Sequence, residues 1–571
     1  VGEIGVQPST SDEYLAGLLT AAEGGALGDI VRSIQAEQDR IIRADPDTPV
    51  LVRGVAGSGK TSIAYHRLAY LLYPGNAPRV RASSCIVFAP NHLFIGYASP
   101  LMKRLGISSI EQTTFEDWAF AVLGGQVPLC EEAMTQERVH RARLLGDTRM
   151  LKLVSSWSAE ASRRIQLELL HRPVPDGDVI FKYDRAPLRN LKLRIPLVGD
   201  EERYLQDLGD AFRRHPVFEA QDEFLRRTWA DAFSRFEHQR KREHGDLDAG
   251  NKEPHNSSER GEAQASIRKS LELPSPMEFA AQMLQDVGWL RRAAAEILSP
   301  AELELLCWRQ SPRDGYLLPE ELDVAVALAS AMGIGTPAYS HIVVDEVQDW
   351  SPLRLSIVGN LCPTNSLTIL GDPMQSISEA GSTDDWEAYA QILGVGRESS
   401  PFLRINYRSA RGVVEACNGI LRTAGQFDGV AASIDRGPDA FRSSGADDEE
   451  SQYGLICDAV LEMIESYGQA AVVTKSRDRA LEIGAALGDM GFEGVHVVDS
   501  RGDFEDTGIC VLSVADAKGL EFPGVIVTDC DQATYTLEGN DWRLLFVACS
   551  RALHVLRAVH VGEPSPLLVR A

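Results

Sequence analysis

The residues with the clearest chemistry lie in the run Gly54-Val55-Ala56-Gly57-Ser58-Gly59-Lys60-Thr61. Glycines at 54, 57 and 59, with Ser58 among them, let backbone N–H groups turn inward around a polyphosphate. The Lys60 ammonium reaches the outer phosphates, and the Thr61 hydroxyl suits Mg²⁺. Much further along, His341-Ile342-Val343-Val344 ends in two carboxylates, Asp345 and Glu346. Opposite a phosphate loop, Asp345 would enter the Mg²⁺ shell and Glu346 would orient or deprotonate the attacking water. A third stretch, Ser366 to Leu370, runs into Gly371-Asp372-Pro373-Met374-Gln375, which places Gln375 to sense the terminal phosphate. Gln38, a little upstream of the loop, carries an amide able to read both the donor and the acceptor edge of adenine. Alone, a helical Gln, a Gly-Asp-Pro turn and paired carboxylates at a loop start are ordinary. Together they point to hydrolysis of a nucleoside triphosphate, with ATP and Mg²⁺ as the ligands.

These groups need strands to hold them and helices to follow. Val50-Leu51-Val52 reads as a buried strand, and Ile63, Leu68, Leu71 and Leu72 recur at helical spacing after the loop, so the order is strand, loop, helix. Ser9-Thr10-Ser11-Asp12 offers N-caps for a short helix to about Ala22, and a second helix over about Asp29 to Arg43 carries Gln38. Cys85-Ile86-Val87-Phe88 is a further strand. The loops after it bring Asn91, Thr114 and Phe115 to where ligands bind in a parallel α/β sheet, and these three are candidate nucleic-acid contacts. From about 122 to 335 the pattern turns helical: Met150–His171, Glu201–Arg213, Ala220–Arg242, Pro276–Leu298 and Pro319–Met332, with a polar loop over 244–262. Arg235, Arg240, Lys241 and Arg242 form a basic cluster beside Phe236 and His238; a solvated helix face is the plainer use of it, nucleic-acid or partner contact the other. A second α/β block has strands at about 470–474, 495–498, 509–514, 525–528 and 554–561, preceded by a flexible connection over 436–452. The expected organisation is an N-terminal helical segment (1–28), a first α/β lobe in two parts (29–121 and 336–380), a helical insertion (122–335) and a second lobe (381–571).

Composition narrows the class. The chain has 571 residues, enough for two to four domains, with 44% hydrophobic and 24% charged residues and no apolar run long enough to span a bilayer. Its nine cysteines are scattered without paired ligand spacing, which reads as reduced thiols in a cytoplasmic protein. A formal charge of −25 argues against a non-specific DNA coat, yet leaves room for a local basic groove or a basic protein partner.

Six stretches, GVAGSGKT, VVDEVQD, GDPMQ, INYRS, KGLEF and LLFVACSRA, occur in the order found in the UvrD/Rep branch of superfamily 1 helicases. The chain resembles that family from Gln38 to Ala552. Within it, IQAEQDRIIR, LFIGYASPLMKRLG and the tail LLFVACSRALHVLRAVHVGEPSPLL resemble HelD-like (helicase IV-like) proteins, which recycle bacterial RNA polymerase. The resemblance implies an α/β fold of two RecA-like P-loop NTPase lobes with a largely helical insertion in the first, and ATP between the lobes. It implies that Gln38 reads adenine, Tyr407 stacks on it and Glu521 sits near the ribose. It implies further that Lys60, Thr61, Asp345 and Glu346 form the hydrolytic centre, that Gln375 couples the terminal phosphate to lobe movement, and that Arg408 and Arg551 act as arginine fingers. Single-stranded DNA and bacterial RNA polymerase are the implied partners.

Several departures bear on function. Many UvrD-like helicases carry an Arg directly after the phosphate-loop Thr, packed on adenine; here it is Ser62, so this contact is weaker or less selective. INYRS and KGLEF are only about 100 residues apart, which leaves no room for the large subdomain inserted there in this branch and argues against processive unwinding. About 34 residues precede the Gln38 stretch, so the long N-terminal arm of HelD-like proteins is expected to be absent, through truncation or in a shortened relative. The sequence therefore leaves open a polymerase-remodelling ATPase, a DNA-stimulated translocase of DNA repair, and an adaptor that binds ATP without turnover. The complete set of Lys60, Glu346, Arg408 and Arg551 speaks against the adaptor.

Overall fold

The computed structural model describes residues 36–124, 135–169, 174, 178–183, 191–196, 198–244, 271, 273–307, 317–378, 386–396, 399–433, 440–498 and 508–568. The helix expected before Ala22, residues 29–35 of the next one and the polar loop over 245–262 lie outside them.

Residues Val1–Trp118 and Ala338–Ala571 form one compact unit, and Ala119–Pro337 a second. The first unit contains two six-stranded sheets, all of whose pairs are parallel. One sheet comprises β1 (Val50–Gly54), β2 (Cys85–Phe88), β3 (Glu111–Thr113), β6 (His341–Val344), β7 (Leu367–Gly371) and β8 (Phe402–Leu403) in the order β3-β2-β6-β7-β1-β8. The other comprises β11 (Phe441–Ala446), β12 (Gln469–Thr474), β13 (Val495–Val497), β14 (Gly508–Ser513), β15 (Phe522–Val527) and β16 (Ala552–Val561) in the order β11-β16-β15-β12-β14-β13. Parallel sheets are covered on both faces, so their central strands are apolar throughout; Leu51, Val52, Ile86, Val87, Val343, Val472 and Val511 are all fully buried. This is the two-lobe α/β architecture of RecA-like folds.

Strand order explains how distant residues meet. β7 lies between β6 and β1, so the loops after these three neighbours stand side by side at the carboxyl ends of the strands. Those loops are the phosphate loop, Asp345-Glu346 and Gly371-Asp372.

Two elements fall where the sequence suggested otherwise. β8 pairs with β1 through Arg53 and Phe402, and Tyr389 of the helix Trp386–Leu393 donates its hydroxyl to Trp350 O at 2.6 Å, so the first lobe runs on to Leu403 rather than ending at 380. The stretch read as flexible over 436–452 contains β11 and the start of the helix Glu449–Tyr467; β11 is a polar edge strand, held by six backbone pairings to β16, and has no apolar run to betray it.

The second unit is mainly helical. Its helix Leu322–Ala331 is buried along Leu322–Ala329. The helices Met150–Leu169, Glu201–Arg214 and Val217–His244 follow the expected pattern, while Pro276–Leu298 is interrupted at Asp286, which leaves helical geometry and caps Trp289 N with its carboxylate. An antiparallel hairpin, β4 (Asp178–Tyr183) with β5 (Leu191–Pro196), was not foreseen. Arg138 binds Glu320 through two hydrogen bonds of 3.0 and 2.8 Å, and Arg141 binds Glu321 at 2.8 Å, both pairs buried. The basic cluster is largely neutralised: Arg235 pairs with Asp231, Arg240 with Glu237, and Phe236 is fully buried.

Candidate nucleotide site

The phosphate loop turns on two left-handed glycines, Gly57 (φ 67°) and Gly59 (φ 82°), a conformation that a side chain would strain. Space is as restrictive as conformation: a Cβ on Gly54 would stand 2.6 Å from Ser58 Oγ, and one on Gly57 2.5 Å from Asn406 Nδ2. The helix Lys60–Leu72 then starts, and its unpaired N–H groups face the loop. Ser58 Oγ is buried without a hydrogen-bond partner, an orphan that fits a loop built to close around a polar group.

Lys60 Nζ donates to Gly54 O (2.9 Å) and Val55 O (3.1 Å) and lies 3.9 Å from Asp372 Oδ2. Thr61 Oγ1 donates to Asp345 Oδ2 at 2.7 Å, so hydroxyl and carboxylate, drawn from sequence positions far apart, are neighbours. Glu346 adopts a left-handed backbone (φ 54°), rare for a non-glycine residue, and its carboxylate accepts from Gln348 Nε2. Gln348 Oε1 in turn accepts from Asp372 N at 3.0 Å, Asp372 Oδ2 accepts from Gln375 Nε2 at 2.8 Å, and Gln375 Oε1 accepts from Arg551 Nη2 at 2.5 Å. A continuous relay thus joins Glu346 in the first lobe to Arg551 in the second.

Electrostatics separates the two carboxylates. Burial and the adjacent Glu346 charge raise the Asp345 pKa above the usual carboxylate range. Burial pushes Glu346 up as well, but Lys518, Lys60 and Arg551 more than offset it and hold the group below its ordinary value. An ionised Glu346 suits a base or a water-orienting group. Arg551 is buried and donates also to Val547 O (3.0 Å) and Leu520 O (3.2 Å), which fixes its direction. Arg408 pairs with Glu521, whose carboxylate also accepts from the Tyr97 hydroxyl at 3.4 Å.

A cavity of about 700 Å³ collects these groups. Its lining includes Gly57, Lys60, Thr61, Ser62, Glu346, Gln375, Arg408, Glu521 and Arg551. Gln38 and Tyr407 stand outside that lining, yet both touch the phosphate loop: Gln38 Nε2 donates to Ser58 O at 3.2 Å, and Tyr407 N to Gly57 O at 3.0 Å.

The three nucleic-acid candidates are placed differently. Phe115 is only 2% exposed and packs against Trp118 and Trp350, with Arg354 over its ring at 4.2 Å, so it has no face for a base. Thr114 is buried and donates to Asp117 Oδ2 at 2.8 Å. Asn91 caps the helix His92–Arg104 by accepting from Phe94 N at 2.8 Å, and its amide donates to Lys518 O at 3.4 Å. Burial leaves Phe115 and Thr114 no surface for a nucleic acid, whereas Asn91 stays partly exposed beside its cap.

Three further residues escaped the sequence. Lys518 donates to Asp349 and, at 2.6 Å, to Gln375 O, the second lobe's cation placed against the first lobe's motifs. Asn406 donates to Ala56 O at 2.9 Å and accepts from Arg408 N (2.9 Å) and Ser409 N (2.8 Å), which ties the phosphate loop to the Arg408 segment. Tyr65 is buried beside Asp345, and its hydroxyl has no hydrogen-bond partner. The stretch containing Lys518 and the one containing Asn406 were visible as motifs; nothing in the sequence marked Tyr65.

Residues 508–559 match the family model of the UvrD-like helicase C-terminal domain. This stretch of the second lobe is similar to that domain. That segment contains Lys518, Glu521 and Arg551, the groups the second lobe brings to the cavity and its surroundings. The chain is also 27% identical to the crystallised C-terminal domain of a possible DNA helicase from Lactobacillus plantarum WCFS1, over 29% of this chain and 92% of that one, with a TM-score of 0.25. No curated protein matches the chain. Among the described residues no helix is long and apolar enough to cross a membrane, and no group of three or more His, Cys, Asp and Glu side chains stands ready to hold a metal. Thr61 and Asp345 nonetheless form a hard-oxygen pair of the kind that holds Mg²⁺ together with substrate phosphates.

Proposed function

We propose that this chain is an ATP-hydrolysing motor of the UvrD-like superfamily 1 type. The observation that carries the reading is the single cavity in which Lys60, Thr61, Glu346 and Gln375 of one lobe face Arg408, Glu521 and Arg551 of the other. Loop N–H groups and Lys60 hold the phosphates, and Glu346 orients and deprotonates the attacking water. Thr61 and Asp345 would hold Mg²⁺, which would supply charge neutralisation on the phosphate oxygens. Arg408 and Arg551 meet the charge that develops on the transferred phosphoryl group, which makes hydrolysis depend on lobe closure. Gln375 passes that closure back to the Glu346 relay. On the base side, Gln38 reads adenine, Tyr407 stacks on it, and Glu521 leaves Arg408 to take the ribose.

For the task the motor performs, we favour a HelD-like factor that remodels or recycles bacterial RNA polymerase, over a single-stranded-DNA-stimulated translocase of DNA repair. Support comes from the HelD-like stretches around Gln38 and Tyr97, and from the compact helical unit lying between Trp118 and Ala338 in sequence. Steady-state ATP hydrolysis, alone, with single-stranded DNA and with core RNA polymerase, decides between them. Co-purification with polymerase and little response to DNA is the expected result; strong DNA stimulation without polymerase binding sinks the remodelling reading. For the motor itself, Lys60→Ala and Glu346→Gln should abolish turnover while Glu346→Gln still binds ATP. Near-normal hydrolysis in either variant refutes the assignment.

A further inference from the structure

Arg67 sits two turns into the helix that follows the phosphate loop, and its side chain is fully buried. Among the described residues no carboxylate forms an ion pair with it, although the Asp45 charge favours its ionised form. Instead Nη1 donates to Ile41 O (3.1 Å), Ile42 O (3.1 Å) and Ala44 O (2.6 Å), Nη2 to Asp45 O (3.0 Å), and Nε to Thr368 Oγ1 (3.1 Å). The four carbonyls belong to the C-terminal end of the helix Ala36–Ile42 and the turn after it. A helix C-terminus leaves its last carbonyls without intrahelical partners and carries partial negative charge, so a guanidinium there satisfies both needs. Burial lowers the Arg67 pKa only to about 10, which keeps the group charged at neutral pH.

This clamp joins three parts of the nucleotide site. The capped helix carries Gln38, one turn before Ile42; the helix bearing Arg67 begins at Lys60; and Thr368 lies on β7, which leads to Asp372 and Gln375. Gln38 itself reaches the phosphate loop, its Nε2 donating to Ser58 O at 3.2 Å. The C-terminal end of the helix that carries Gln38 is thus seated by a side chain of a different helix. Arg43 over the Tyr70 ring (5.9 Å) supports the same face, but as a half-exposed contact.

We propose that Arg67 is the positioning residue for base selection: by locking the C-terminus of the helix that carries Gln38, it sets the height and rotation at which Gln38 meets adenine. The inference rests on the reading of Gln38 as the adenine contact. Lysine cannot take its place, since three donors on one nitrogen cannot span Thr368 and four carbonyls.

The test is the preference for ATP over GTP, read as the ratio of dissociation constants from competition against a fluorescent methylanthraniloyl nucleotide, on the full chain. Gln38→Ala should lose the preference. Arg67→Lys should lower it about tenfold, the loss expected from one misaligned hydrogen bond, and should raise KM for ATP more than it lowers kcat. In the Gln38→Ala background, Arg67→Lys should change the preference no further. Thr368→Val removes one of the five acceptors and should produce a smaller fall in the same direction, which decides the matter if Arg67→Lys does not fold. A wild-type preference in Arg67→Lys or Thr368→Val, with Gln38→Ala discriminating poorly, overturns the inference alone. So does a fall that persists undiminished in the double variant. An unchanged preference in Gln38→Ala overturns the adenine reading beneath it.

Discussion

The two sheets of the first unit share a plan, six parallel strands each, but they treat charge in opposite ways. At the strand ends of the first sheet stand a glycine loop and three carboxylates, the buried Asp345 and Asp372 and the partly exposed Glu346, with Lys60 among them. The second sheet has no such loop. The groups it contributes near the cavity are chiefly cations, Lys518 and Arg551, with Arg408 delivered by the segment that leads into its core. The first sheet is therefore a holder and the second a supplier of charge. Neither half is complete chemically: Lys518 and Arg551 of the second lobe join Lys60 of the first in keeping Glu346 ionised within this carboxylate cluster.

Removing the buried Arg551, one of the supplier's cations, tests this division hardest. Arg551→Ala should reduce kcat by about 10³-fold or more, in the range known for arginine fingers, with ATP still bound by the first lobe; single-turnover hydrolysis measures it. Lys518→Met should cost about tenfold in kcat and shift the acid limb of the pH–rate profile upward, because losing a nearby cation makes Glu346 harder to ionise. An unmoved acid limb would show that Lys518 does not act on Glu346.

The next prediction concerns the holder alone. His66 and His341 are buried in the first lobe, and burial lowers their pKa values to about 4 and about 3. His341 sits between Ser366 Oγ (2.8 Å) and Thr368 Oγ1 (3.2 Å). Unfolded, both would protonate near pH 6.5, so between that value and pH 4 the unfolded state binds more protons. Stability should hold above pH 6.5 and fall as pH drops, by up to about 1.4 kcal/mol per pH unit for each group. Thermal melts from pH 7.5 to 5 should show this, with a flatter slope in His341→Gln. The smallest effect belongs to Tyr65→Phe, which deletes a buried hydroxyl without a partner; the melting temperature should stay level or rise, by no more than about 1 kcal/mol in stability.

What the sequence disclosed follows from how each residue acts. Lys60, Thr61, Asp345 and Glu346 sit at the ends of short apolar runs, and parallel strands announce themselves that way, so their meeting could be foreseen. Most strands of the second sheet were legible for the same reason, and β11 was not, since an exposed edge strand needs no apolar face. Phe115 misled because an aromatic at a loop looks alike whether it stacks on a base or on Trp350. Arg67 and Asn406 act through backbone carbonyls and N–H groups, and such partners leave no mark in a sequence.

The crossing from Leu403 to Ala410 has a mechanical consequence. Only the residues Arg404 to Arg408 and their two successors carry the chain from the edge of the first sheet into the core of the second lobe, a strap that even fully drawn out spans about 25 Å. Asn406, near its middle, is moored to Ala56 O inside the phosphate loop. The strap is thus pinned to the phosphate loop itself. In the motor proposed above, a hinge so close to the nucleotide would convert a small change at the terminal phosphate into a long sweep of the far edge of the second lobe, around β13, trading force for reach.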